Sequence, residues 1–108
     1  MNKGRLWEEK VCLYLQQQGL DLLEQNWRTR YGEIDLIMKD KEVVVFVEVK
    51  YRANTNFGSP FEALDCKKIA TIRKVAQQYI TQKKIANEVR FDVVGITGRD
   101  IEWLKGVF

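Results

Sequence analysis

Two apolar runs dominate the pattern of the chain: Ile34 to Met38, interrupted only by Asp35, and Val43 to Val49, interrupted only by Glu48. Runs of this kind read as strands buried on both faces, where a charge is costly unless a partner or a cation offsets it. Strand alternation puts Glu48 and Lys50 on one face of the second run, with Val45, Val47 and Val49 on the other. In the first run Glu33 and Asp35 share a face, with Ile34, Leu36 and Met38 opposite. The polar break Lys39-Asp40-Lys41-Glu42 predicts a tight hairpin. Folding about Asp40 or Lys41 sets Asp35 opposite Val45 to Val47 and Glu33 opposite Val47 to Val49. Glu33, Asp35, Glu48 and Lys50 then gather at the open end of the hairpin, away from its turn.

The rest of the pattern supplies helices and further strands. Trp7, Val11, Tyr14, Leu15 and Gln18 recur at helical spacing and predict a helix over residues 3–18, ended by Gly19. At about 100° per residue, Glu8 falls on the flank of the apolar stripe between Leu15 and Cys12, while Glu9 points away from the core. Glu8 either reaches the sheet or extends to solvent. Leu20 to Arg30, with Leu22, Leu23 and Trp27, predicts a short strand. The segment Tyr51 to Pro60 has turn residues and no periodicity, so it predicts a loop leaving the open end of the hairpin. Ser59-Pro60 predicts a short helical turn, and Asp65 the N-cap of a long helix to about Lys84. Ile69, Ile72, Val75 or Ala76, and Tyr79 or Ile80 form its buried stripe. Its other face carries Lys67, Lys68, Arg73, Lys74, Lys83 and Lys84, either a solvated surface or a surface for a phosphate backbone. Val89 to Ile96 and Ile101 to Leu104 predict two more strands around a turn at Thr97 to Asp100. Helix, three strands, helix, two strands is the order of a layered α/β domain with its sheet covered on at least one face.

A chain of 108 residues has the length of one domain with a single core, so residues 1–108 are expected to form one unit. With 45% apolar and 31% charged residues the composition is that of a folded protein. The net charge of +3 is compatible with an anionic partner without demanding one. No run of about 18 apolar residues and no charged-then-apolar leader is found, so neither a membrane span nor a secretory signal is predicted, and a cytoplasmic protein is expected. Histidine is absent, which excludes histidine-based triads and general bases. Cys12 and Cys66 each lie in a predicted helix without a CxxC spacing, which argues against structural zinc and for small buried apolar side chains.

What remains is the acidic pair. Neighbouring positions on paired strands lie roughly 5–8 Å apart at Cβ, so Asp35 and its neighbours can share a divalent cation. Oxygen ligands of this kind suit Mg2+ or Mn2+, with Lys50 beside a bound water. The plain alternative is an ion pair at a sheet edge, an interaction of little energy. A carboxylate-held cation both stabilises developing negative charge and generates a nucleophile near neutral pH without histidine.

Gly32-Glu33-Ile34-Asp35-Leu36-Ile37, Val45-Phe46-Val47-Glu48-Val49-Lys50-Tyr51-Arg52, Phe57-Gly58 and Arg90-Phe91-Asp92-Val93-Val94, with Gly4 and Glu8 near the start, resemble the YraN family of small bacterial proteins over nearly the whole chain. That family is similar to the restriction-endonuclease-like PD-(D/E)XK fold, most closely the small archaeal Holliday-junction resolvases. The resemblance implies a three-layer α/β domain with a mixed central sheet between helices. It implies Asp35 and Glu48 as the metal-binding carboxylates, the Val49 carbonyl as a further ligand and Glu8 as an outlying acid. It makes Lys50 the residue that orients or deprotonates the attacking water. The implied cofactor is Mg2+ or Mn2+ and the implied partner DNA, with Arg28, Arg30, Arg52, Lys67, Lys68, Arg73 and Lys74 the cations for its backbone. Similar resolvases act as two-fold dimers, for which the Tyr51 to Phe57 loop or Trp103 and Phe108 offer a surface. The chain departs from the pattern in two places: Ile34 stands where proline precedes the first acid, and Gln77 is followed four residues later by Thr81 and not by tyrosine. Three readings follow: a metal-dependent nuclease with Asp35, Glu48 and Lys50 catalytic; a nucleic-acid-binding module of the same fold with little turnover; and a structural or interaction protein with an ion-pair cluster.

Overall fold

A computed structural model describes residues 3–52, 64–98 and 100–108 of the chain. Its elements are α1 (Lys3–Gln17), β1 (Asp21–Thr29), β2 (Gly32–Asp40), β3 (Val43–Arg52), α2 (Cys66–Gln82), β4 (Val89–Thr97) and β5 (Asp100–Leu104). The order is the predicted αβββαββ. The five strands make one mixed sheet with neighbours in sequence order, β3 and β4 parallel and every other pair antiparallel. A parallel pair needs a crossover, and α2 lies in the connection between β3 and β4.

Both faces of the sheet are covered, which explains the unbroken apolar run of β3. Val45 and Val47 pack with Val11, Cys12 and Leu15 of α1, whereas Val44 and Phe46 pack with Ile72, Val75, Ala76 and Tyr79 of α2. Phe46 meets Tyr79 edge-on at 5.9 Å between ring centroids and stacks on Phe91 at 5.4 Å. α1 stops where Gly19 takes a left-handed φ of 101° and the Leu20 N–H bonds back to the Leu15 carbonyl, a glycine-dependent helix end. α2 starts as predicted, with the Asp65 side chain accepting the Lys68 N–H at 2.8 Å. β2 begins tight against α2: a Cβ at Gly32 would sit 2.7 Å from Cγ2 of Thr71, so only glycine fits that approach.

Several expectations change. Cys12 is buried, but Cys66 begins α2 and is exposed. Glu9 is half-buried and not directed away from the protein, because it shares a polar cleft with Arg5 and with Gln25 and Asn26 of β1. Tyr51 and Arg52 end β3 and do not open a loop. The remainder of that loop, with Phe57-Gly58 and the turn at Ser59-Pro60, lies outside the described residues. Among the described residues no helix is long and apolar enough to cross a membrane.

The late Arg-Phe-Asp segment is structural. Asp92 is fully buried and accepts four hydrogen bonds: from Arg90 Nε at 2.9 Å and Nη2 at 3.0 Å, from the Trp103 indole at 2.9 Å, and from the Gly106 N–H at 2.9 Å. Arg90 also reaches Asp40 at 3.1 Å. Trp103 is thus committed to this network, and Phe108 stacks on Phe91 at 5.1 Å. Both residues offered above for a dimer surface are half-buried within their own chain.

Removing the charge of one partner in such a network leaves the other uncompensated, at a cost of about 3 kcal/mol or more. Asp92→Asn is therefore expected to lower the melting temperature by roughly 10 °C or more in a thermal melt followed by circular dichroism. An unchanged melting temperature would contradict the structural role of Asp92.

Candidate metal centre

The hairpin turn is Lys41-Glu42, with Asp40 paired to Val43 and Lys41 in the left-handed region at φ 56°. The register therefore differs from that of a turn centred on Asp40 or Lys41. Regular pairing of β2 with β3 ends at Leu36–Val47, so Asp35 comes level with Glu48, beyond the predicted range. The alternation of β2 also breaks here. Leu36 and Met38 pack on the α1 side, but Ile34 joins Ile37 on the α2 side. Ile34, Leu36 and Met38 thus do not share a face as predicted, and the residue at the change of face is Asp35. On the neighbouring strand, Asn26 lies between the pairs Gln25–Leu36 and Trp27–Ile34 and adopts a left-handed φ of 50°.

Where the ladder stops, a side chain takes over. Asp35 Oδ2 accepts the Val49 N–H at 2.8 Å, filling the place of a strand carbonyl. One carboxylate oxygen from each of Glu8, Glu33 and Asp35 lies within 4.8 Å of the other two. The Asn26 amide holds two of these acids, donating to Glu8 Oε1 at 2.6 Å and to Glu33 Oε1 at 2.8 Å. Arg28 clasps the other oxygen of Glu33, its Nε at 3.0 Å. Glu8 reaches the sheet because α1 is pinned there: Trp7 stacks on Tyr51 at 4.4 Å and 9° between planes, directly beside Glu8 and Lys50 in the chain.

Glu48 is 4% exposed. Its Oε2 meets Lys50 Nζ at 3.4 Å and Lys68 Nζ at 3.7 Å. Its Oε1 is buried with no N–H donor, and the Glu48 carboxylate shares a hydrogen bond with the carboxyl of Asp35. Burial, the Glu48 charge and, after the opposing Val49 hydrogen bond, the Glu8 charge and the side-chain hydrogen bond with Glu48 act on Asp35, and the balance pushes its pKa up to about 8. Glu33 goes the other way. Burial tends to raise it, but hydrogen bonds from Arg28 and Asn26 and the charges of Arg28 and Lys68 hold it below the usual carboxylate range.

The donor set is all oxygen, which suits a hard divalent cation such as Mg2+ or Mn2+. The Glu48 carboxylate, with no N–H donor at Oε1, keeps acceptor capacity that such an ion would take up. Of the residues picked out from sequence, Glu8 and Asp35 converge, Glu48 presses on Asp35 electrostatically, and Lys50 pairs with Glu48. Val49 contributes its N–H to Asp35. Glu33 was not among the expected ligands, although it alternates with Asp35 on β2. Asn26 carries no sequence signal beyond the tolerance of asparagine for left-handed backbone. Lys68 was assigned to the outer basic face of α2, but it lies in the first turn and reaches Glu48. The other cations stay outside this cluster or on its rim. Arg28 pairs with Glu33, Arg30 lies over the Tyr31 ring at 4.8 Å and Lys74 over the same ring at 3.9 Å. Arg73 lies 6.0 Å from the centroid of Phe108, Lys67 is exposed and Arg52 is half-buried.

The family model described as uncharacterised protein family UPF0102 matches residues 7–96, a span that includes every residue of the cluster. A UPF0102 protein of Shewanella frigidimarina is 44% identical over 108 residues, covering the whole of both chains. One of Vibrio parahaemolyticus is 45% identical over 106 residues, 94% of this chain and 88% of its own. One of Persephonella marina is 40% identical over 107 residues, 98% of this chain and 92% of its own.

The Asp35 shift has a consequence for stability. Its folded pKa of about 8 exceeds the ordinary value of 3.8, so the native state binds the proton more tightly than the unfolded chain. That contribution is complete below about pH 4 and is lost as pH rises through 8. Denaturant melts of the metal-free protein are expected to show stability falling from about pH 4 to about pH 8 and levelling above, with Asp35→Asn, which keeps an acceptor for Val49, flattening the fall. A slope identical in wild type and variant would remove Asp35 as its source.

Proposed function

The chain belongs to the UPF0102 family, and from the geometry of its carboxylates we propose that it is a divalent-metal-dependent nuclease that hydrolyses phosphodiester bonds in DNA. The observation that carries this reading is the convergence of carboxyl groups: Glu48 is 4% exposed, Asp35 beside it is pushed up to about 8 by burial and by that charge, and Glu8 and Glu33 each bring an oxygen within 4.8 Å of Asp35. Gathering this many carboxyl groups in one partly buried place costs electrostatic energy, which a bound cation would offset.

Asp35 and Glu48, with Glu8 and Glu33 beside them, are the groups that would hold Mg2+ or Mn2+. When bound, the ion supplies charge neutralisation at the scissile phosphate and eases deprotonation of water at neutral pH. The protein does the rest. The Val49 N–H fixes the Asp35 carboxylate, Asn26 fixes Glu8 and Glu33, and the strand fixes Lys50 two residues from Glu48. Lys50 orients the attacking water, whose oxygen bonds to phosphorus while the ester P–O bond breaks and the leaving oxygen takes up a proton. No histidine is needed at any step. In this reading DNA is the partner, the cytoplasm the compartment and a two-fold dimer the form in which two such sites would meet two strands.

Titration with Mn2+, followed by calorimetry, is expected to give saturable binding that Asp35→Asn abolishes. Lys50→Ala is expected to keep DNA affinity while slowing cleavage about 100-fold or more, measured on single-stranded, duplex, flapped and four-way DNAs. If wild type and Lys50→Ala leave identical products on every substrate, the nuclease reading fails.

A further inference from the structure

We propose that Lys68 is a second active-site lysine, one that grips a non-bridging oxygen of the scissile phosphate while Lys50 attends the water; the inference rests on the nuclease reading of the same site. Two ammonium groups converge on a single oxygen, Glu48 Oε2, Lys50 at 3.4 Å and Lys68 at 3.7 Å. Their origins differ. Lys50 shares a strand and a face with Glu48, so the sheet fixes their relation. Lys68 comes from the first turn of α2, which Asp65 anchors through the Lys68 N–H. The charge of Lys68 acts on Glu33 of β2 as well as on Glu48 of β3, so both acid-bearing strands feel it. Lys67, its neighbour in the chain, is exposed and makes no such contact.

One buried carboxylate oxygen does not require two lysines. Holding both costs side-chain entropy and brings two like charges together. A divalent ion taking Glu48 would repel both ammonium groups and remove their acceptor, leaving each in want of an anion. The Lys68 side chain is 41% exposed against 29% for Lys50, so its head group is the nearer to the solvent from which a phosphodiester arrives. A compact ammonium on a flexible stem with three donors can follow a phosphate oxygen through the reaction. Lys68 is therefore the phosphate contact, with its Glu48 pairing the resting position.

The test compares wild type, Lys68→Ala, Lys68→Arg and, as a control at the hairpin end of the sheet, Lys39→Ala. Each is measured for Mn2+ affinity, for DNA affinity in Ca2+ and for single-turnover cleavage in Mg2+. Lys68→Ala is expected to cut about 100-fold more slowly, to bind DNA in Ca2+ more weakly and to bind Mn2+ at least as well as wild type. Lys68→Arg is expected to recover at least a tenth of the wild-type rate, roughly the return expected from restoring the charge without the compact head group. Lys39→Ala should match wild type throughout. Cleavage by Lys68→Ala within about threefold of wild type would overturn the inference, as would a loss of Mn2+ affinity equal to the loss of rate, since that would mean Lys68 acts only through Glu48. A wild type that cuts nothing sinks the nuclease reading by itself. DNA affinity in Ca2+ then decides: equal affinity of wild type and Lys68→Ala overturns the phosphate contact, and weaker binding by the variant upholds it.

Discussion

The parting of β2 from β3 after Leu36–Val47, bridged by one hydrogen bond from the Val49 N–H to Asp35, is the constraint on which the site depends. A regular ladder would have satisfied Val49 with a backbone carbonyl and left Asp35 on one face of a strand. The fork instead draws the carboxylate toward the gap, level with Glu48 and within reach of Glu8 from α1 and Glu33 from β2. Burial in that gap raises the cost of a second negative charge beside Glu48, and Asp35 retains its proton to about pH 8. A proton held that way is what a cation displaces when it binds.

Two buried acids among the described residues differ in how fully their oxygens are satisfied. Asp92 is wholly buried and has four donors aimed at its two oxygens, so nothing further is asked of it. Glu48 is almost as deep, with two lysines at one oxygen beyond ideal hydrogen-bond length and none at the other. Burial is nearly the same and satisfaction is not. Glu48 keeps acceptor capacity that Asp92 does not, and the sufficiency at Asp92 ties the C-terminal segment to β4.

The alternation of Val43 to Val49 and the helical spacing of Val11, Leu15, Ile72 and Tyr79 made the sheet and both helices legible before any coordinates. Asp65 announced the start of α2 through its capping chemistry. The register of the hairpin was not legible, because Lys41 takes a left-handed conformation that lysine does not advertise and so shifts the pairing. The same limit hid the turn in β2. Period-two logic assumes an unbroken strand, and the change of face between Ile34 and Leu36 follows from a fork that only the third dimension reveals. Glu8, Asp35, Glu48 and Lys50 were found because each is a charge in or beside an apolar pattern. Glu33 was placed at the same open end as Asp35 but not as a ligand, and Asn26 and the inward turn of Lys68 were missed because ordinary polar residues sit there where polar residues are expected, and geometry alone brings them to the acids.

The most direct measurement is diffraction at the manganese edge from crystals grown with Mn2+. The account predicts an anomalous peak bonded to carboxylate oxygens of both Asp35 and Glu48, with Glu8 or Glu33 in its coordination or water shell and Val49 still bonded to Asp35. Fully ordered carboxylates with no anomalous density between them, at Mn2+ concentrations in the millimolar range used by Mg2+- and Mn2+-dependent sites, would contradict it.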